Sequence, residues 1–235
     1  MALVRKFDLK DYLLFGKVDF DYIKKETIKK WNDVGLKDAD IRDFYTEIAN
    51  PSQIFALIKK AHSPFCNNKK LLNYINSGMP VGGECMAFTD KKGNKFMYPS
   101  FLHQAIKKGD TERVELLLAA GADIVSCPES GFKDTFSYLI NEGDLNTYAL
   151  VLSFMDKIPE KHWVFGALYK FYESGNPNAA IAANMLCQKL ISKNIDEKQY
   201  IKDSVEYFNK LIVSGDMKYN GEQNPNNTAK IEEQM

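Results

Sequence analysis

Apolar residues between positions 101 and 124 recur with the period of an α-helix in two consecutive runs, each of which ends at a glycine. The first run precedes Gly109 and the second precedes Gly121. The inward positions that we predict for the two runs are Leu102, Ala105, Ile106, Val114, Leu117 and Leu118. Glycine favours the left-handed conformation that ends a helix, and Asp110 is a typical N-cap residue. The pattern therefore predicts a hairpin of two short helices.

Weaker copies of this hairpin occur along the chain. Glycines that follow a similar apolar face and precede a capping residue are Gly109, Gly143, Gly175 and Gly215. The first three are separated by 34 and 32 residues, and the last interval is 40 residues. A further unit precedes them and ends at Gly78, and its predicted inward positions are Ile54, Leu57, Ile58, Leu71, Tyr74 and Ile75. One short hairpin cannot bury both of its apolar faces, so repeated hairpins predict a stack.

Residues 100–124, SFLHQAIKKGDTERVELLLAAGADI, resemble one repeat of the ankyrin family. They match its TPLHxA start, its central glycine, its VxLLL helix and its closing GAD, with Ser100 and Phe101 in place of Thr and Pro. The motif histidine is replaced in the two later units, by Ser137 and Tyr169. Those later units resemble the family in spacing and apolar stripe alone.

The fold that this resemblance implies is all-α, an ankyrin-like helical-hairpin solenoid. Two strand-like runs, Cys85 to Thr89 and Lys95 to Tyr98, flank a turn and predict a β-hairpin finger between repeats. The domains that we predict are an N-terminal helical cap at 1–50, about four degenerate repeats at 51–216 with the last one partial, and a flexible tail at 217–235. The apolar positions of the cap are Trp31, Phe44, Tyr45 and Ile48, which we expect to cover the end of the stack.

Composition excludes several classes of protein. Thirty-one Lys and Arg residues balance thirty-one Asp and Glu residues, so the net charge is zero and nucleic-acid binding is disfavoured. Charges interrupt the apolar runs of residues 1–17, and no later stretch could span a bilayer, so we expect neither a signal peptide nor membrane insertion. Cysteines without paired spacing favour free thiols in a reducing, cytoplasmic compartment, and they are Cys66, Cys85, Cys127 and Cys187.

A thiol-dependent enzyme is the alternative class for this chain. Cys66 lies four residues after His62, and Cys85 follows the sequence GGE, so either thiol is a candidate nucleophile. His103 occupies the place of the ankyrin TPLH histidine, and the resemblance implies a structural hydrogen bond there. Histidines and cysteines without paired spacing predict no metal site, and no glycine-rich phosphate motif predicts a cofactor.

By the ankyrin pattern, the finger tips and the residues before each glycine marker form a concave face that binds another protein. The resemblance assigns to this face Lys95, Met97, Tyr98, Lys107, Lys108, Phe132, Lys133, Asn141, Glu142, Trp163, Phe165 and Glu173. Aromatic anchors often dominate binding energy, although Phe132 and Trp163 equally fit packing between repeats. The leading hypothesis is a non-enzymatic protein-protein interaction module, monomeric by itself and without a cofactor.

The degenerate repeats, the Lys- and Asn-rich composition and the end KIEEQM are similar to ankyrin-repeat effectors that intracellular bacteria such as Legionella deliver through a type IV secretion system. This resemblance implies translocation into a host cell, where the partner is a host protein or another effector. Without it, a cytoplasmic adaptor is expected.

Replacement of Glu232, Glu233 and Gln234 with alanine is expected to abolish type IV delivery, because C-terminal signals of such effectors are often flexible and contain glutamate. A translocation assay with a reporter fusion measures the effect. Unchanged delivery would remove the tail from the hypothesis.

Overall fold

The computed structural model describes residues 13–14, 17–82, 86–89, 95–98, 100–122, 124, 139, 144–155, 182, 185–186 and 188–189. Within these residues the chain is mainly helical, with seven α-helices and two pairs of short antiparallel strands. The all-α expectation is confirmed in this coarse form. In this part of the chain no helix is both long enough and apolar enough to span a bilayer.

The helices are α1 (Phe20–Val34), α2 (Ala39–Ile48), α3 (Pro51–Ala61), α4 (Asn68–Asn76), α5 (Phe101–Lys107), α6 (Thr111–Ala119) and α7 (Leu145–Ser153). The strands are β1 (Leu13–Leu14), β2 (Lys17–Val18), β3 (Met86–Thr89) and β4 (Lys95–Tyr98). Strand β1 pairs with β2, and β3 pairs with β4 in a register that sets Met86 opposite Tyr98 and Thr89 opposite Lys95.

The described residues fall into two compact units. The first unit holds those from Ile23 to Ile124, and it contains most of α1 together with helices α2 to α6. The second holds those from Leu13 to Tyr22 and from Leu139 to Lys189. Each unit has its own buried apolar residues.

Helices α5 and α6 form the hairpin that the sequence predicts. The Ser100 side chain accepts a hydrogen bond from the His103 amide and caps α5, while Asp110 accepts one from the Arg113 amide and caps α6. Between the helices, Gly109 has a φ of 63°, so its predicted left-handed conformation is confirmed. All six predicted inward positions are buried, namely Leu102, Ala105, Ile106, Val114, Leu117 and Leu118. The two helices pack against each other.

The hairpin of α3 and α4 matches its prediction less completely. A reciprocal pair of hydrogen bonds between Asn50 and Gln53 begins α3, and Asn67 caps α4. Of the six predicted inward positions, Ile58, Leu71 and Ile75 are buried, whereas Ile54, Leu57 and Tyr74 are only half-buried. These three positions are therefore covered only in part; Ile54 and Leu57 lie on α3, and Tyr74 lies on α4. Leu72, which was not predicted, is buried.

Successive helices of the first unit contact one another in a row. Helix α4 contacts both α2 and α6, so the second helices of consecutive pairs are neighbours. Polar side chains join them through backbone carbonyls: the Thr46 hydroxyl donates to the Gly78 carbonyl at 2.9 Å, and the Arg42 guanidinium donates to the Ala120 carbonyl at 2.7 Å. These bonds determine which side of α2 faces the rest of the unit.

Helix α2 differs from the predicted cap. Trp31 on α1 is buried at 2% exposure, as an apolar capping position should be. Phe44, Tyr45 and Ile48 are exposed instead, and α2 has no buried residue. The expectation that they cover the stack is wrong, because Arg42 and Thr46 hold the opposite side of α2 against the unit.

The second unit contains one complete described helix. Asp144 caps α7 by accepting a hydrogen bond from the Thr147 amide at 2.6 Å. Seven consecutive residues of α7, from Thr147 to Ser153, are buried. The buried Lys189 ammonium donates to the Ser153 carbonyl at 3.4 Å. The marker glycines Gly143, Gly175 and Gly215 and the tail at 217–235 lie outside the described residues.

Replacing Gly78 with alanine is expected to destabilise the first unit far more than the same change at Gly109. Both glycines have a positive φ, which costs an alanine about 1–2 kcal/mol. At Gly78 the new Cβ would also lie 2.6 Å from the Tyr45 carbonyl carbon, whereas at Gly109 it would meet nothing within 4 Å. We therefore expect a loss of about 1–2 kcal/mol for Gly109→Ala and roughly 3 kcal/mol or more for Gly78→Ala.

Urea denaturation followed by Trp31 fluorescence in a Trp163→Phe background measures both free energies of unfolding. Equal losses for the two variants would contradict the close approach of α2 to Gly78.

Candidate protein-binding surface

Helices α3 and α5 are the first helices of the two hairpins, and the sequence Ile-Lys-Lys occurs near the end of each. Each has a buried isoleucine followed by two exposed lysines: Ile58 precedes Lys59 and Lys60, and Ile106 precedes Lys107 and Lys108. The isoleucine holds the helix against the core, so the lysines that follow it emerge at the surface. Lysines in a last helical turn also complement the negative end of the helix dipole. We call Lys59, Lys60, Lys107 and Lys108 the basic strip.

His62, directly beyond α3, links the end of α3 to the first part of α5. Its ring stacks on the Phe101 ring at a centroid distance of 4.2 Å, and its Nδ1 lies 3.2 Å from the Gln104 amide nitrogen. The pKa of His62 is lowered to about 4, mainly by burial and also by the nearby charge of Lys108, while the Gln104 bond opposes the shift. The ring is therefore neutral at pH 7, and it adds no charge to the strip.

The predicted concave-face residues lie in three parts of the chain. Lys107 and Lys108 are exposed at the end of α5, as expected. Lys95, Met97 and Tyr98 lie on β4, whose backbone pairs with β3 directly before α5. The other predicted residues lie outside the described part, namely Phe132, Lys133, Asn141, Glu142, Trp163, Phe165 and Glu173. Lys59 and Lys60 were not predicted, and the sequence Ile-Lys-Lys could not have singled them out, because it also occurs at 23–25 and 28–30 in α1.

A groove between α2 and α3 was also missed. Its volume is about 440 Å³, and it is lined by Tyr45, Ile48, Ala49, Gln53, Ala56, Leu57, Lys60 and Ser77. Phe44 lies beside it, with its ring edge-on to Tyr45 at 5.9 Å, and the Lys37 ammonium lies 4.5 Å from the centre of the Tyr45 ring. Sequence reasoning assigned these apolar residues to the core, which is why it did not find the groove.

Of the two candidate nucleophiles, the structure describes Cys66 but not Cys85. Cys85 lies outside the described residues. Cys66 is buried, and burial raises the pKa of its thiol against the weaker opposing effects of Arg113 and Lys70. A thiol with a raised pKa is mostly protonated at neutral pH, so this environment does not activate Cys66. In the described part, no three His, Cys, Asp or Glu side chains cluster as metal ligands would.

Comparisons with known proteins found no similar protein. No protein-family model matches the chain, and neither a curated protein nor a solved structure matches it.

The first unit is expected to lose stability as the pH falls from 6.5 towards 4, in part because of His62. The pKa of this ring is about 4 when folded against an ordinary value of 6.5, so the unfolded chain binds the proton first. The contribution of neutral His62 is complete above pH 6.5 and is lost as the pH approaches 4. Its slope is at most about 1.4 kcal/mol per pH unit, reduced by solvent screening of the partly exposed ring.

Urea denaturation of the native chain and of His62→Gln between pH 7 and 5 isolates this contribution from that of other titrating groups. The difference in unfolding free energy between the two proteins should shrink as the pH falls. A pH-independent difference would contradict a neutral, half-buried His62.

Proposed function

We propose that this chain is a non-enzymatic protein-protein interaction module, a divergent ankyrin-like stack of helical hairpins that binds an acidic segment of a partner protein. The match of residues 100–124 to one ankyrin repeat supports the stack, as do the contacts of α4 with both α2 and α6. His62, Phe101 and Gln104 join the first helices of the two hairpins in the same way.

The basic strip is the single observation that carries the proposal. Four exposed lysines end two neighbouring helices, and α3 contains no acidic residue while α5 contains none either. Because the isoleucines before the lysine pairs are buried, the lysines are attached to a fixed framework rather than to a mobile loop. A fixed row of like charges attracts a complementary segment and determines its register. Strand β4 precedes α5, which makes the β3–β4 hairpin the neighbouring contact surface.

The zero net charge of the chain favours a protein over a nucleic acid as the partner. Under the resemblance to type IV effectors, the partner is a host protein or another effector whose activity this chain modulates. Under the adaptor alternative, it is a protein of the same cytoplasm. The proposed chemistry of recognition is the same in both cases.

Reversing charge at the strip is expected to abolish partner capture. We would compare the native chain with Lys107→Glu/Lys108→Glu and with a matched control, Lys25→Glu/Lys29→Glu, which makes the same charge change at exposed positions of α1. Far-UV circular dichroism checks that each variant is folded. Affinity purification from eukaryotic and bacterial lysates with quantitative mass spectrometry should show a partner that the native chain and the control retain and the strip variant loses about tenfold or more.

Equal capture by the strip variant and the native chain would overturn this assignment of the site. Loss of the partner from both variants would show that total charge, rather than the strip, governs binding.

A further inference from the structure

Helix α2 presents an apolar face to solvent. Its large apolar residues have the i, i+3, i+4, i+7 spacing of a core-facing helix, and we call them the α2 face: Ile41, Phe44, Tyr45 and Ile48. They are 44%, 55%, 37% and 62% exposed, respectively. The opposite side of the helix is attached to the unit through Arg42 and Thr46, so α2 cannot rotate to bury this face without breaking those bonds. Contiguous exposed apolar surface of this kind marks an interaction site.

The α2–α3 groove lies directly beside the α2 face. Tyr45 and Ile48 belong to both, and the other wall is formed by Ala56, Leu57 and Lys60 of α3. A ridge of apolar side chains thus adjoins an apolar groove with a volume of about 440 Å³. A surface that holds a ridge and a groove side by side can be complementary to itself under a two-fold axis, because the ridge of each copy enters the groove of the other.

Charges beside the ridge and the groove make the same surface complementary to itself a second time, although no acidic residue lines the groove itself. The acidic residues of α2, all exposed, are Asp40, Asp43 and Glu47. Helix α3 carries Lys59 and Lys60 and no acid, and Lys60 lines the groove. Within the described residues neither Glu47 nor Lys60 forms an ion pair. A two-fold arrangement brings the acidic edge of one copy to the basic end of α3 in the other.

We propose that the partner of the α2 face is a second copy of this chain, which docks its own α2 face into the α2–α3 groove to form a two-fold homodimer. The shape of the surface and its charges select the same occupant, and Lys60 contributes to both. This interface shares Lys60 with the basic strip, whereas Lys107 and Lys108, which test the proposed partner-binding function, do not line the α2–α3 groove. The sequence analysis expected a monomer and assigned Phe44, Tyr45 and Ile48 to the N-terminal cap.

Sedimentation velocity over about 1–500 μM tests the proposal, a range suited to an interface built on a single short helix. The native chain should shift from monomer to dimer as its concentration rises. Phe44→Ser/Ile48→Ser should weaken association about thirtyfold or more, since both side chains are large and exposed. The matched control is Phe65→Ser, because Phe65 is 81% exposed at the turn between α3 and α4 and does not line the groove. This control should dimerise like the native chain.

Charge exchange tests the two-fold arrangement without disturbing apolar packing. Glu47→Lys and Lys60→Glu should each weaken association about tenfold, because each sets like charges opposite one another at both symmetry-related contacts. An equimolar mixture of the two variants should recover dimers, since each contact in the mixed dimer again joins opposite charges.

A native chain that stays monomeric throughout the range would overturn the proposal. So would a Phe44→Ser/Ile48→Ser variant that dimerises like the native chain, or a mixture of the charge variants that remains monomeric. If the native chain is monomeric and the α2 variant loses a protein captured from lysate, the occupant is a foreign helix rather than a second copy. That result also overturns the proposal, while leaving the basic strip to its own test.

Discussion

Contacts between successive helical pairs hold the first unit together, because two short helices cannot bury their apolar faces alone. The His62 ring stacks on Phe101 and joins α3 to α5. Arg113 of α6 donates to the Asn68 side chain at 3.0 Å and to the Cys66 carbonyl, which ties α6 to the start of α4. The bonded groups lie 45 and 47 residues apart, so packing rather than local preference brings them together. The surface positions of both lysine pairs depend on these contacts.

A buried charge pair connects α1 to the same row of helices. Glu115 of α6 is almost completely buried and forms an ion pair with Lys30 of α1, whose side chain is 23% exposed. Burial of a single charge is costly, and removal of one member of such a pair typically costs roughly 3–5 kcal/mol. The pair therefore specifies where α1 lies against α6. Helix α1 is the element that in fact covers apolar surface, through Trp31 and Ile23.

The packing of the first unit leaves two candidate surfaces exposed, the basic strip and the α2 face, and it does so in opposite ways. At the basic strip, burial of Ile58 and Ile106 leaves the following lysines exposed, and helical periodicity is sufficient to predict that outcome. At α2, the hydrogen bonds of Arg42 and Thr46 hold the helix so that its entire apolar face is exposed. Periodicity alone predicts that this face is buried. An amphipathic pattern identifies a helix and its two faces, but it does not say which face the neighbours will cover. Polar groups anchor α2 because backbone carbonyls at Gly78 and Ala120 accept their hydrogen bonds.

The sequence by itself determined the helices, their ends and most of the core of the α5–α6 hairpin. Caps and glycine ends act over a few residues, so Gly109 and Asp110 could be predicted without a structure. It also indicated Lys107 and Lys108, through the resemblance of residues 100–124 to an ankyrin repeat, and both are exposed. Only the tertiary structure placed His62 against Phe101, brought Lys59 and Lys60 into the same strip, and turned the apolar face of α2 outward. These outcomes depend on contacts between distant residues, and local sequence carries no information about which distant group will be within reach.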